Sequence, residues 1–218
     1  MCSEWDGQNG KPETDYLQQT EAGLHHGDST RADTILHAAL ALFVQHGYRG
    51  TSVSRIAEAA GIAKGTTYLY FPSKRAIFEA LSDRLIERVT AQLDHTAQLP
   101  LPPEERVVRL FEIRFCDLFD WTFESPFADE LIETHRSLDG RALALFVETF
   151  ERHVRNGLSE CAEAGTLDLD HHGTNIEGVM TLLELGARGA AYTLQEAGDY
   201  RKQLTSMLQA LLRGFRPA

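Results

Sequence analysis

Between Thr51 and Lys74 the chain reads TSVSRIAEAAGIAKGTTYLYFPSK, and the second half of this stretch gathers side chains suited to contact with a polyanion. Lys64 offers a cation, Thr66 and Thr67 offer small hydroxyls with methyls, and Tyr68 and Tyr70 offer phenol groups near the backbone. Gly65 has no side chain to hold a partner's backbone away. Hydroxyl, phenol and ammonium groups on one short segment are what phosphate and base-edge contacts require.

The surrounding pattern supplies the elements that would present them. Thr51 or Ser52 stands where an N-cap belongs, and Val53, Ile56, Ala57 and Ala60 follow at helical spacing on one face. Gly61 supplies the positive φ that stops this helix, and Ile62 returns to the core. A second short helix then runs from about Ala63 to Tyr70. Two helices joined by a glycine-bearing turn make a helix-turn-helix, whose second helix enters the DNA major groove. Upstream, Thr30 and Asp33 match a capping box that opens a supporting helix with a stripe of Ile35, Ala38, Ala39, Leu42 and Phe43. That helix is expected to end near His46 and Gly47 and to bury Val53, Ile56, Ile62 and Phe71 against the motif.

The run from Gly47 to Lys74 resembles the DNA-binding signature of the TetR family of bacterial transcriptional regulators, the likeness covering roughly Arg31 to Leu81. It is carried by the glycines, the Thr-Ser cap, the Ile-Ala-x-x-Ala-Gly turn, the Gly-Thr-x-Tyr-x-Tyr-Phe helix and the Ser-Lys exit, all at family spacing. The resemblance implies phosphate contacts from Thr51, Ser52, Tyr70 and Lys74, and contacts to base edges or adjacent phosphates from Lys64, Thr66, Thr67 and Tyr68, with Gly65 allowing close approach. Thr67 departs from the pattern, being small where many members carry a bulky apolar residue. The resemblance also implies a homodimer on a palindromic double-stranded DNA operator, and a helical second domain that binds a small-molecule effector.

The formal net charge of −11 argues against nucleic acid until its distribution is read. Residues 28–76 hold six Lys or Arg against three acids, about +3, whereas residues 1–27 and 77–218 sum to about −4 and −10. The positive charge is confined to the helix-turn-helix segment, and an acidic body behind a basic head orients the approach to phosphates. The longest apolar runs are far shorter than the ~18 residues that span a bilayer, and no signal sequence opens the chain, so a cytoplasmic protein with no membrane partner is expected. Cys2, Cys116 and Cys161 fit neither a disulfide framework nor a zinc pattern, and reduced thiols are expected.

The expected fold is all-α: a disordered arm over residues 1–27 by composition, a three-helix DNA-binding domain over 28–76, and a larger helical domain over 77–218 to which the resemblance assigns ligand binding and dimerisation. Ser73 would cap a long fourth helix from Lys74 to about Gln98, with Ile77, Leu81, Leu85, Ile86, Val89 and Leu93 inward, serving as a lever between the domains. Leu99 to Pro103 breaks the chain, and a helix over Val107–Asp120 follows. Eight of the 19 aromatic residues lie between Phe111 and Phe150. Phe111, Phe115, Phe119, Trp121, Phe123, Phe146 and Phe150, with Arg114 as an orienting cation, read either as the wall of an apolar effector pocket or as core filling. A segment near Ala128–Leu138, a helix from Gly140 to Ala164, one from Thr174 or Asn175 to about Ala197, and a last one over Asp199–Gly214 complete the bundle. Small residues on the penultimate helix suit close helix approach, and the resemblance makes the last two helices the dimer interface. His25 and His26, and Asp168, Asp170, His171 and His172, are metal-capable types that read more simply as solvated surface. No nucleophile elbow, zinc-protease, phosphate-loop or dinucleotide motif occurs, so neither an enzyme nor a cofactor is expected. The alternative is a DNA-binding regulator or nucleoid-associated protein with no small-molecule ligand.

Overall fold

The computed structural model describes residues 30–117, 125–138, 140–170, 173–193 and 197–217. The N-terminal arm, with Cys2, His25 and His26, lies outside them, as do His171, His172, Phe119, Trp121 and Phe123. Among the described residues there are nine α-helices and no strand, as the all-α reading requires. They are α1 Arg31–Gly50, α2 Val53–Ala59, α3 Lys64–Tyr70, α4 Lys74–Ala97, α5 Pro103–Glu112, α6 Ala128–Arg136, α7 Arg141–Glu163, α8 Ile176–Thr193 and α9 Ala197–Gly214. A π-helical turn, Ile113–Asp117, extends α5.

Local chemistry sets the boundaries. Thr30 and Asp33 form a complete capping box at the start of α1, and Ser73 caps α4 by accepting from the Ala76 N–H. Pro103 occupies the first turn of α5, with Glu104 and Glu105 beside it. The helix therefore starts four residues earlier than the break at Leu99–Pro103 suggests, because proline's fixed φ suits a first turn where its missing N–H is not needed. The described part of the penultimate helix runs to Thr193, and that of α9 from Ala197.

Two apolar cores share α4. Ile77, Phe78, Leu81 and Leu85 pack with Ile35, Leu36, Leu40, Phe43 and Ile56 in the head, together with Leu131 from α6. Farther along, Ile86, Val89 and Leu93 join Val107, Phe111, Phe150, Leu158, Leu183 and Leu204 in the body. In α8, Gly186 admits α9 closely: a Cβ there would lie 2.9 Å from Met207 Sδ. Cys116 and Cys161 are buried and form no disulfide, and burial pushes the Cys161 thiol up to about 11.

The head and body meet at the end of α1. Gly47 has φ 70° and ψ 169° and kinks the helix there, in a region of backbone space that is nearly glycine-only. The kink lets α6 dock. A Cβ at Gly47 would lie 2.7 Å from Glu130 Oε2 and 2.9 Å from Phe127 Cδ1. Glu130 accepts the Arg49 N–H at 2.6 Å, and the Ser125 hydroxyl donates to Val44 O at 2.6 Å. Gly47→Ala is expected to destabilise the protein by about 2–3 kcal/mol, from backbone strain and the displaced α6 contacts, measured as the shift in the urea midpoint.

The opposite end of α1 is tied to α4 through Asp33, which pairs with Arg84 as well as capping. Burial alone would raise the Asp33 pKa, but the Thr30 hydrogen bonds and the Arg84 guanidinium outweigh it and hold the carboxyl below its ordinary 3.8. The unfolded chain therefore takes up the proton first as pH falls, so this stabilisation is complete above about pH 4 and is lost as pH drops through the lower folded-state value. Asp33→Asn should cost about 1 kcal/mol at pH 7 and flatten the acid limb of a stability-against-pH curve below pH 4.

Candidate nucleic-acid interface

The motif is built from short, precapped helices. Ser52 caps α2 by accepting the Arg55 N–H at 3.3 Å, and its exposed hydroxyl keeps a proton to donate outward. Gly61 has φ 67°, and Ile62 donates its N–H back to Ala57 O at 3.0 Å, closing the turn. Ala63 then leads into α3, of which only Thr67 is buried. Lys64, Gly65, Tyr68, Leu69 and Tyr70 are exposed, and Thr66 is half-buried. A Cβ on Gly65 would meet no atom within 4 Å, so nothing inside the protein explains a glycine that weakens the helix by about 1 kcal/mol relative to alanine.

Three side chains expected at the DNA face are turned to structural use. Thr67 is 0% exposed and faces inward, because the helix must present one position per turn to the head, where it packs on α2, and Thr67 and Phe71 fall there. Its departure from the bulky family residue is thus a departure in packing rather than in base reading. Thr51 is 2% exposed, with its hydroxyl 2.8 Å from Gly47 O and 3.1 Å from Leu42 O, so its proton serves the end of α1. Lys74 Nζ donates to Tyr48 O at 2.6 Å and Thr51 O at 2.8 Å and stands 4.3 Å from the Tyr48 ring centroid. Desolvation lowers the Lys74 pKa, opposed by the nearby Glu130 carboxylate. It is a strut between α1 and α4, with two of its three protons committed to backbone carbonyls.

In the body, the structure brings together Phe111, Phe115, Phe146, Phe150 and Arg114. Phe111 stacks on Phe115 at 5.9 Å and meets Phe150 edge-on at 5.1 Å, and Phe146 is buried in the same core. Arg114, on the π-turn, lies 4.5 Å from the Phe150 ring centroid and 5.5 Å from that of Phe115. Its buried Nη1 finds no hydrogen-bond partner among the described residues. Burial lowers the Arg114 pKa, with Glu184 opposing. Two open grooves flank α4, one of about 510 Å³ bordered by Asp83, Glu87, Asp94 and Leu145, the other of about 480 Å³ bordered by Arg88, His95 and Ile113. The aromatic cluster lines neither.

Residues 35–81 match the family pattern described as bacterial regulatory proteins, tetR family. The head of the chain carries the DNA-binding pattern of the TetR family. The HTH-type transcriptional repressor ComR of Escherichia coli (strain K12) is 43% identical over 67 residues, 31% of this chain and 31% of its own length. This chain spans less than half the length of the curated relatives it matches first. Solved structures extend the likeness in fold to the body. A TetR/AcrR-family regulator from Thermobifida fusca superposes with a TM-score of 0.66 at 20% identity, covering 86% of this chain and 99% of that one. FadR of Bacillus subtilis, solved in complex with stearoyl-CoA, gives 0.56 at 17% identity over 82% of this chain and 94% of its own.

Within this TetR-family head, sequence reasoning passed over Leu69, which is 84% exposed in the middle of α3. The signal was available: once Thr67 and Phe71 are read as the inward pair, Leu69 falls on the opposite side of the helix. The buried Thr67 hydroxyl has no hydrogen-bond partner among the described residues, a burden of about 1–3 kcal/mol. Thr67→Val keeps the shape and removes that group. It should raise stability by about 1 kcal/mol in thermal unfolding and leave DNA sequence preference unchanged in a binding titration.

Proposed function

We propose that the protein is a ligand-responsive transcriptional regulator, a repressor that binds a palindromic operator as a homodimer and is released by an apolar or aromatic small molecule. One observation carries this reading: α3 presents Lys64, Gly65, Tyr68 and Tyr70 outward with Thr66 at its edge, on a head whose own core is complete without them. With Ser52 at the cap of α2, these are the proposed DNA contacts. The division of labour into a head over 28–76 and a sensing, dimerising body over 77–218 belongs to the same proposal, as do a cytoplasmic setting and the lack of catalysis. Among the described residues no helix is long and apolar enough to cross a membrane.

Dimerisation is supported by the outer face of α8 and α9. Leu182 and Leu185 are exposed on α8, a Cβ at Gly189 would meet no atom within 4 Å, and Ser206, Gln209 and Ala210 are exposed on α9. Two apolar side chains beside small ones suit close helix packing across a two-fold axis. Two heads about one helical turn apart, ~34 Å, would then read symmetric half-sites.

The effector reading rests on the aromatic cluster, with Arg114 the group placed to orient the polar end of a ligand, and it is supported by FadR, which shares the fold and was solved in complex with stearoyl-CoA. Binding releases DNA only if the ligand prefers a body whose heads are wrongly spaced, and a hundredfold loss of operator affinity needs ~2.7 kcal/mol of such preference. Sedimentation should give a dimer of the 24.4 kDa chain, Leu185→Glu should shift it to monomer, and selection from random duplexes should enrich a palindrome. A panel of acyl and aryl compounds should contain one that raises the melting temperature and weakens operator binding. If the palindrome is found and no compound does either, the ligand-independent regulator replaces this reading.

A further inference from the structure

The outward surface of α3 is poor in groups that read bases by hydrogen bonds. From Lys64 to Tyr70 it contains no Arg, Asn or Gln, and Lys64, at the first position of the helix, is the one side chain there suited to a two-point hydrogen bond with a base edge, that of guanine. What it offers at its crest is apolar. With ~100° between successive residues, Leu69 lies about 200° and Gly65 about 160° around the helix from the buried Thr67, so the two stand one turn apart on the side facing away from the head core. Leu69 is 84% exposed, the most exposed large apolar side chain among the described residues, and it is flanked by half-exposed Tyr68 and Tyr70.

A lone exposed leucine is ordinary on a protein surface. This one sits at the summit of the helix, one turn from a glycine that no internal contact requires. The glycine lowers the start of the helix so that its axis can approach a partner, and the leucine then projects farthest toward whatever lies beneath. In the major groove, the apolar feature that base pairs display is the C5 methyl of thymine. We infer that Leu69 packs on the C5 methyl of one thymine in each operator half-site, so that a methyl contact, rather than a hydrogen-bonded pair, selects that base. The inference rests on the DNA-binding reading and adds a specificity-determining residue to it.

The test uses the full-length protein and the duplex enriched by selection, with binding followed by fluorescence anisotropy at one fixed salt concentration. Each thymine is replaced in turn by deoxyuridine, which removes the methyl and leaves every hydrogen-bonding group in place. One symmetric pair of positions should respond, losing about fourfold in affinity per half-site, the value of one buried methyl group, and about fifteenfold when both are changed. Leu69→Ala should melt at the wild-type temperature, since the side chain is exposed, yet bind the thymine and deoxyuridine duplexes equally at those positions. Leu69→Met should keep most of the discrimination. A selected site at which no deoxyuridine weakens binding, or at which Leu69→Ala pays the same deoxyuridine penalty as wild type, overturns the inference while leaving the DNA-binding reading intact. Failure of selection to enrich any sequence, together with no measurable affinity for duplex DNA, overturns both.

Discussion

The last two turns of α1 are the point on which the rest of the structure depends. A helix end leaves carbonyls without intrahelical partners, and here they are taken up by three separate parts of the chain. Val44 O accepts from Ser125, Gly47 O accepts from Thr51, and Tyr48 O accepts from Lys74. The Arg49 N–H meanwhile donates to Glu130. The lead-in to α2, the first residue of α4 and the α6 segment of the body are thus all fastened to the last two turns of one helix. The glycine at the kink makes this possible, because a side chain there would occupy the space of Phe127 and Glu130.

That arrangement makes the head more than a domain on a hinge. Its core includes Leu131 of α6, and Phe127 and Leu138 pack at its edge. Helix α3 is held to the head through Thr67 and the flanking Ile62 and Phe71, and packs chiefly on α2. A seven-residue helix is too short to persist alone. Its outward side chains can therefore be chosen for what they touch outside the protein, since few of them contribute to the fold.

Most of the helical plan was legible in the sequence because it rests on local chemistry: Thr30 with Asp33, Ser52 and Ser73 as caps, Gly61 and Gly165 as stops, and a 3.6-residue apolar period between them. The direction of individual polar side chains was not, because threonine and lysine suit either a phosphate or a helix end. Thr51 and Lys74 went to carbonyls of α1 since those groups were closer and already in need of donors, and Thr67 went inward because its helical phase left no other residue to fill that place. The π-turn carrying Arg114 has no sequence signature of comparable strength. The aromatic cluster was predictable as a cluster from its density, and its face toward any ligand was not, because apolar periodicity is the same for a packed core and a pocket wall.

The sharing of α4 between the two cores limits how that helix can move. The side chains it buries in the head and those it buries in the body lie along one continuous stripe, from Ile77 to Leu93. Turning the helix about its own axis would withdraw both sets at once, whereas a swing would leave the stripe seated. Over its 24 residues the helix is about 36 Å long. Each degree of swing about the body end therefore carries its first residue about 0.6 Å sideways, a mechanical gain by which a shift too small to repack the body's aromatic rings becomes a displacement comparable to a hydrogen-bond length at the head after only five degrees.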